Sequence, residues 1–215
     1  MFCRRIDFSG NNVSLGWEIS YPHVSYMKTG LSNTGSGTTV TLLDHPNGEK
    51  LVTFCDNADP QTSVYVYKGR ERSSPLLVGS QTLFQAMRST TETSMIGYGN
   101  RIAVSSNFGH TRDSSGEIIE SVSNESGITC LEVNEACDDI SIIWEVEQPI
   151  NTIFGIPQLA RENGVIYSCS MKWHIDTTES LDQPAGYENY VTAYDSWNGR
   201  IKGFAPIPSK SALGA

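Results

Sequence analysis

The feature that most constrains this chain is an internal repeat. Asn100-Arg-Ile-Ala-Val-Ser105 lies over Asn163-Gly-Val-Ile-Tyr-Ser168, and Ile128-Thr-Cys-Leu131 lies over Val191-Thr-Ala-Tyr194. The steps from 100 to 163 and from 128 to 191 are both 63 residues. One offset held across two segments and the long loop between them is the mark of a duplicated supersecondary unit. An earlier copy with a shorter loop is visible in Glu49-Lys-Leu-Val-Thr-Phe54 and Ser63-Val-Tyr-Val-Tyr67.

The repeating segments are β-rich. Runs such as TTVTLL (38–43), KLVTF (50–54), SVYVYK (63–68), RIAVSS (101–106), GITCLEV (127–133), ISIIWEV (140–146), GVIYSCS (164–170), NYVTAYD (189–195) and GRIKGF (199–204) are built from β-branched and aromatic residues, with Gly, Asn, Asp or Pro at their edges. Helical periodicity is weak throughout, and 79–90 (GSQTLFQAMRST) is the one helix candidate. The fold class is all-β. A four-stranded antiparallel sheet cannot bury both faces alone, so copies must stack. Radial stacking about a channel serves every copy, whereas a sandwich needs no common offset.

The expected architecture is one domain over 1–215, a partial β-propeller of about three to four antiparallel four-stranded blades. The approximate blades are 30–78, 90–146 and 156–204, and strands within 1–29 belong to a preceding blade. Residues 189–204 read as the outer hairpin of a blade. Asn198-Gly199 predicts a tight turn with both residues at positive φ, and Asp195 reads as a turn former.

Composition excludes some functions. A net charge of −9 lacks the clustered Lys and Arg that release counterions from phosphates, so nucleic acid is not an expected partner. Ten of the 24 acidic residues lie between Asp113 and Glu147, a stretch without Lys or Arg. The run could offer oxygens to Ca²⁺, but it lacks EF-hand spacing and reads first as a solvated loop. Cys3, Cys55, Cys130, Cys137 and Cys169 form no zinc spacing. Buried free thiols are the preferred reading over a Cys130–Cys137 bridge. No apolar run approaches the ~18 residues of a membrane span, and MFCRRIDFSG lacks the apolar core of a signal peptide.

Several short motifs carry a family resemblance over about residues 30 to 204: Gly35-Ser-Gly-Thr-Thr39, Asp56-Asn-Ala-Asp-Pro60, Thr91-Glu-Thr-Ser94, Ser106-Asn-Phe-Gly109, Pro157-Gln-Leu159 and Thr192-Ala-Tyr-Asp195. In order and spacing the chain resembles uncharacterised bacterial and environmental β-propeller proteins of the quinoprotein-like superfamily, built from PQQ-like repeats. Val40 and Ser106 depart from that pattern, which favours a proline and a second asparagine there. The resemblance implies a longer parent, commonly exported and so extracellular or periplasmic, whose remaining blades would be partners of this segment.

In a propeller, polar residues at the ends of the inner strands gather at the channel mouth. The repeat places Thr38, Thr39, Asp56, Asn57, Asp59, Glu92, Ser106 and Asn107 there as candidate ligand-binding residues for a small molecule or protein. Asp56, Asp59 and Glu92, with the Asn57 amide oxygen, could hold Ca²⁺. Asp-Asn-x-Asp-Pro is also ordinary turn chemistry. His23, His45, His110 and His174 sit beside predicted turns and read as surface loop residues. Trp17, Trp144, Trp173 and Trp197 could line a carbohydrate or quinone surface, but packing between blades is the preferred role. No serine-hydrolase, P-loop or dinucleotide motif occurs, and no specific motif supports bound PQQ. The functional expectation is a ligand-binding or interaction module. The rival is a propeller enzyme, either a metal-dependent hydrolase or lyase or a quinone-dependent oxidoreductase.

Overall fold

The computed structural model describes residues 1–28, 30, 34–108, 110–112, 118–121, 127–146, 151–152, 156–174 and 186–207. Every regular element among them is a β-strand, so the all-β reading stands. Strands β1 (Phe2–Ser9) and β2 (Asn12–Ser20) form a hairpin. The first four-stranded sheet runs in chain order through β3 (Thr41–Asp44), β4 (Lys50–Cys55), β5 (Ser63–Lys68) and β6 (Leu76–Thr82). The second begins with β7 (Ile96–Tyr98) and β8 (Arg101–Ser105). A two-stranded insertion follows, β9 (His110–Arg112) with β10 (Ile118–Ser121), and the sheet resumes with β11 (Ile128–Val133) and β12 (Ile140–Val146). In the third sheet β13 (Asn151–Thr152) and β14 (Gln158–Ala160) both pair with β15 (Val165–His174), which pairs with β16 (Gly186–Asp195), and that with β17 (Ile201–Pro206). All pairings are antiparallel.

The second strands of the first two sheets lie between others and are covered on both faces, which explains their nearly continuous apolar runs. In β4 every residue from Leu51 to Cys55 is buried, and in β8 Ile102 to Ser105 are. Outer strands such as β6 and β12 bury only part of their length. The sheets stack first strand on first and fourth on fourth, with β3 against β7 and β6 against β12. One core fills the space among the hairpin, first sheet and second sheet, around Trp17, Phe54, Val66, Ile102 and Leu131. A second core joins the second and third sheets through Ile128, Cys130, Trp144, Ile166 and Tyr194.

A shared irregularity ties the four elements together. In the third-to-fourth strand pairing of each sheet the register skips one residue: Val78 in the first, Ile143 in the second, Lys202 in the third. The hairpin skips Gly16 in the same way, which makes β1 and β2 the counterparts of a third and fourth strand. The residue just beyond the bulge is Trp17 in the hairpin and Trp144 in the second sheet. Trp17 donates its Nε1–H to Gly69 O at 2.8 Å, and Trp144 donates to Ser196 O at 3.1 Å. Each indole thus caps the outer turn of the next sheet, and both rings are buried. Packing between sheets, the preferred role for these two tryptophans, is the role they have.

Three details correct the sequence reading. The third strands are related by 63 residues, but Ile102 pairs with Leu131 while Ile166 pairs with Tyr194, so the second strands are related by the step from 102 to 166, which is 64. A shift of one exchanges the two faces of a strand, and burial of Ile102 and Ile166 on corresponding faces decides the register. Residues 79–82 extend β6 rather than starting a helix, because pairing with Ser63–Val66 captures them. The turn after β16 is not a two-residue one. Gly199 alone is left-handed there (φ 72°), and the Asp195 N–H donates to Arg200 O at 2.8 Å across a longer loop. Asp195 does form the turn: its Oδ1 accepts the Trp197 N–H at 2.9 Å, which with Lys202 holds its carboxyl below the usual range.

Candidate functional site

The predicted mouth residues follow the second strands, Asp56 and Asn57 after β4 and Ser106 and Asn107 after β8. The structure buries them under the segments that lead into the next sheets. Asn57 is left-handed (φ 59°) and uses its whole amide: Oδ1 accepts from Thr91 N–H at 2.8 Å and Thr62 Oγ1–H at 3.2 Å, while Nδ2 donates to Gly35 O and Thr91 O at 3.1 and 2.8 Å. Asn107, its counterpart, accepts the N–H of Glu92 at 2.7 Å and of Thr93 at 3.3 Å. Thr38 is buried, and its Oγ1 accepts from Cys55 N–H at 3.3 Å, whereas Thr39 is exposed. The side chains of Asn57, Asn107 and Thr38 thus fasten the chain's own connecting segments.

Asp56 is buried with three donors on its carboxylate: the N–H groups of Ala58 and Ser63 on Oδ1 at 3.0 and 2.8 Å, and the Tyr65 hydroxyl on Oδ2 at 3.0 Å. Burial raises its pKa despite those bonds, and burial together with Asp56 pushes Tyr65 up to about 12. Half-buried Glu92 packs against Gly37. No group of three His, Cys, Asp or Glu side chains able to hold a metal ion forms among the described residues.

Asp59 has a cation, and it is internal. Lys28, with a side chain only 4 % exposed, places Nζ 3.1 Å from Asp59 Oδ1 and donates to the carbonyls of Ala58 and Asn57 at 3.2 and 3.4 Å. The Tyr26 hydroxyl donates to Asp59 Oδ2 at 2.5 Å, and this bond first, then Lys28, lowers the Asp59 pKa. An ammonium thus pairs with Asp59, one of the three carboxylates expected to hold a metal ion. Sequence reading missed Lys28 because its partners lie about thirty positions away, with no spacing rule to connect them.

The opposite end of the molecule is open. Two clefts recur between successive sheets, each lined by first-to-second and third-to-fourth strand turns. One, of about 460 Å³, lies between the first and second sheets at His45, Asn47, Asn100 and Glu135. The other, of about 500 Å³, lies between the second and third sheets at Tyr98, Arg161, Glu162, Asn163 and Trp197. Trp197 is 67 % exposed, unlike Trp17 and Trp144. The Arg101 guanidinium lies 4.3 Å from its ring centroid and is itself held by Glu132 at 3.0 Å. Tyr98 backs the cleft, donating to Ser196 O at 2.8 Å.

His45 corrects the surface-loop expectation: it is 4 % exposed, and its Nδ1 accepts the Asn47 N–H at 3.3 Å to build the β3–β4 turn. His23 is exposed. The side chains of His110, His174 and Trp173 lie outside the described ones, as does much of the acidic run, including 113–117, 122–126 and Glu147. All five cysteines are free thiols, four of them buried, and burial raises the Cys130 pKa to about 11. Among the described residues no helix is long and apolar enough to cross a membrane.

No family model matches the chain, and no curated protein matches it. Among solved structures it is similar to a mannose phosphorylase from Leishmania mexicana in complex with phosphate ion, at 10 % identity and a TM-score of 0.27 over 82 % of this chain and 69 % of that one.

Proposed function

We propose that the chain is a run of blades from a β-propeller of the quinoprotein-like kind, and that it works as a binding module through the cleft at Trp197. The blade reading is supported by the bulge shared by four hairpins and by the indole caps between neighbours. The binding reading is carried by one observation: a mostly exposed indole at the rim of a cleft of about 500 Å³. Cores normally absorb such rings, and an exposed one beside donors and acceptors of both signs fits a ligand with one flat apolar face and a polar rim. A saccharide ring has that form. Arg161, Glu162 and Asn163 supply groups that hydroxyls can meet, and Arg101 holds the indole from behind.

The test is a fluorescence titration of the protein with neutral oligosaccharides, alongside Trp197→Ala. A saturable change in emission that disappears in the variant is the expected result. No saturable change, or one that survives in Trp197→Ala, would overturn the assignment.

A further inference from the structure

The cleft between the first and second sheets has a buried donor on its wall. His45 is 4 % exposed, while Pro46, Asn47 and Glu135 beside it are exposed and Asn100 is half-buried. The imidazole is therefore the deep member of the lining, and the others form the rim. The main chain of His45 is fully used: its N–H donates to Glu49 O at 3.0 Å, and its carbonyl accepts the Gly48 N–H at 2.9 Å. One ring nitrogen is used as well, since Nδ1 accepts the Asn47 N–H at 3.3 Å. An accepting Nδ1 leaves the proton of the neutral ring on Nε2. That Nε2 is buried and has no hydrogen-bond partner among the described residues. Buried donors are ordinarily paired, so an orphan on a ring that lines a cleft points to an acceptor brought from outside the chain.

The rim is held in place before any ligand arrives. Asn47 Nδ2 donates to Glu135 O at 3.3 Å, which ties the β3–β4 turn to the β11–β12 turn. Asn100 exchanges two bonds with Val133: the Val133 N–H donates to Asn100 O, and Asn100 Nδ2 donates to Val133 O, both at 2.8 Å. Asn100 Oδ1 and the Glu135 carboxylate are left without a hydrogen-bond partner among the described residues. The groups left over define what fits. Nε2–H needs an acceptor, and the two oxygens need donors. A metal ion offers no acceptor, and the proton on Nε2 blocks the lone pair that would bind it. An anion meets Glu135, the one charged side chain of the lining, with the wrong sign. An ammonium satisfies Glu135 but not Nε2–H. A hydroxyl accepts and donates at once, and Pro46 is the one apolar aliphatic side chain in a cleft of about 460 Å³.

We propose that the His45 cleft binds the vicinal diol of a neutral sugar or polyol. One hydroxyl accepts from His45 Nε2–H and donates to Asn100 Oδ1, and its neighbour donates to the Glu135 carboxylate. With no exposed indole to stack on, this site works through hydrogen bonds and selects for hydroxyls, whereas the Trp197 cleft selects for a flat apolar face. The assignment needs only the contact between the first and second sheets. It is independent of both the Trp197 cleft and the propeller reading.

Nuclear magnetic resonance titration of the Trp197→Ala protein tests it, because that background removes the indole and lets the two clefts be read apart. D-glucose serves as the ring probe and sorbitol as the open-chain probe. Long-range ¹H–¹⁵N spectra should show His45 as the Nε2–H tautomer. Either probe should then shift Nε2 and the backbone amides of Asn47, Asn100 and Glu135 saturably, the tighter of the two naming the source. Glu135→Ala should weaken binding about tenfold, the loss of one hydrogen bond to a charged acceptor. His45→Asn keeps an acceptor for the Asn47 N–H, as an Asx turn, and removes the Nε2 donor, so saturation at those amides should be lost. Glu135 is exposed, so its variant keeps the fold even where His45→Asn does not. An Nδ1–H tautomer, no saturable shift with either probe, or saturation unaltered in both variants would each overturn the proposal. So would acetamide, sulfate or Zn²⁺ moving the same signals at lower concentration than either polyol.

Discussion

Trp144 and Gly199 should be energetically coupled, and the coupling can be worked out from their geometry. Trp144→Ala removes a buried indole, a change that costs about 3 kcal/mol at the low end for aromatic truncations. The low end applies because Ser196 O keeps the Tyr98 hydroxyl as a donor and is not orphaned. Gly199→Ala carries two separate penalties. At φ 72° a side chain is strained by about 1 kcal/mol. The added Cβ would also sit 2.6 Å from Trp144 Cε3, an overpacking of about 2 kcal/mol. In the Trp144→Ala background the collision with the ring vanishes, while the strain and a 3.2 Å approach to the Val146 Cγ2 methyl remain, so the second substitution should cost about 1 kcal/mol and the coupling should be about 2 kcal/mol. Gly10→Ala isolates the backbone contribution, since Gly10 has φ 59° and nothing within 4 Å of its Cβ position. Urea unfolding followed by far-UV circular dichroism, compared at constant m, reads all four variants. Effects of Trp144→Ala and Gly199→Ala that add within about 0.5 kcal/mol would refute the docking of this indole on this turn.

Asp56→Ala should destabilise by about 3 kcal/mol, because three donors lose a buried acceptor, whereas Asp56→Asn keeps an oxygen for the two N–H groups and should be far milder in the same unfolding assay. The pH dependence has a definite sign. Burial raises the Asp56 pKa, so the folded state binds the extra proton, and the cost of ionising this carboxyl is absent below the unfolded value of about 4 and grows as pH rises through the folded value. Wild type should therefore lose stability relative to Asp56→Asn as pH rises through that window. A difference that is flat or opposite in slope contradicts the burial of the charge. Asp59→Ala strands the Lys28 ammonium and should cost about 2 kcal/mol, more than Lys28→Met, which leaves a partly exposed carboxylate; equal effects in thermal unfolding would count against the pair.

The strand positions were largely legible because β-branched runs with turn residues at their edges are local signals. SVYVYK and ISIIWEV coincide with β5 and β12 to the residue. The three-residue strands β7 and β14 are too short to show a period of two. The register of the second strands escaped by one position because Ile102 and Ile166 are each flanked by residues that align almost as well one step away, and only facing partners decide between the alternatives. Asp56, Asn57 and Asn107 stand out in the sequence as candidate ligand-binding residues, but spacing does not reveal what an Asx side chain binds. Their partners are main-chain groups such as Thr91 N–H and Glu92 N–H, brought close only by stacking of the sheets. Trp197 was visible with the other tryptophans, and only burial separates it from Trp17 and Trp144.

Hydrogen exchange of the assigned indole N–H groups tests the stacking most directly. Trp17 and Trp144, each bonded to a carbonyl of the neighbouring sheet, should exchange slowly and open together with global unfolding, while the Trp197 indole exchanges as a solvent-exposed group. Rapid exchange at Trp17 and Trp144, matching Trp197, would mean that the sheets do not dock through these rings.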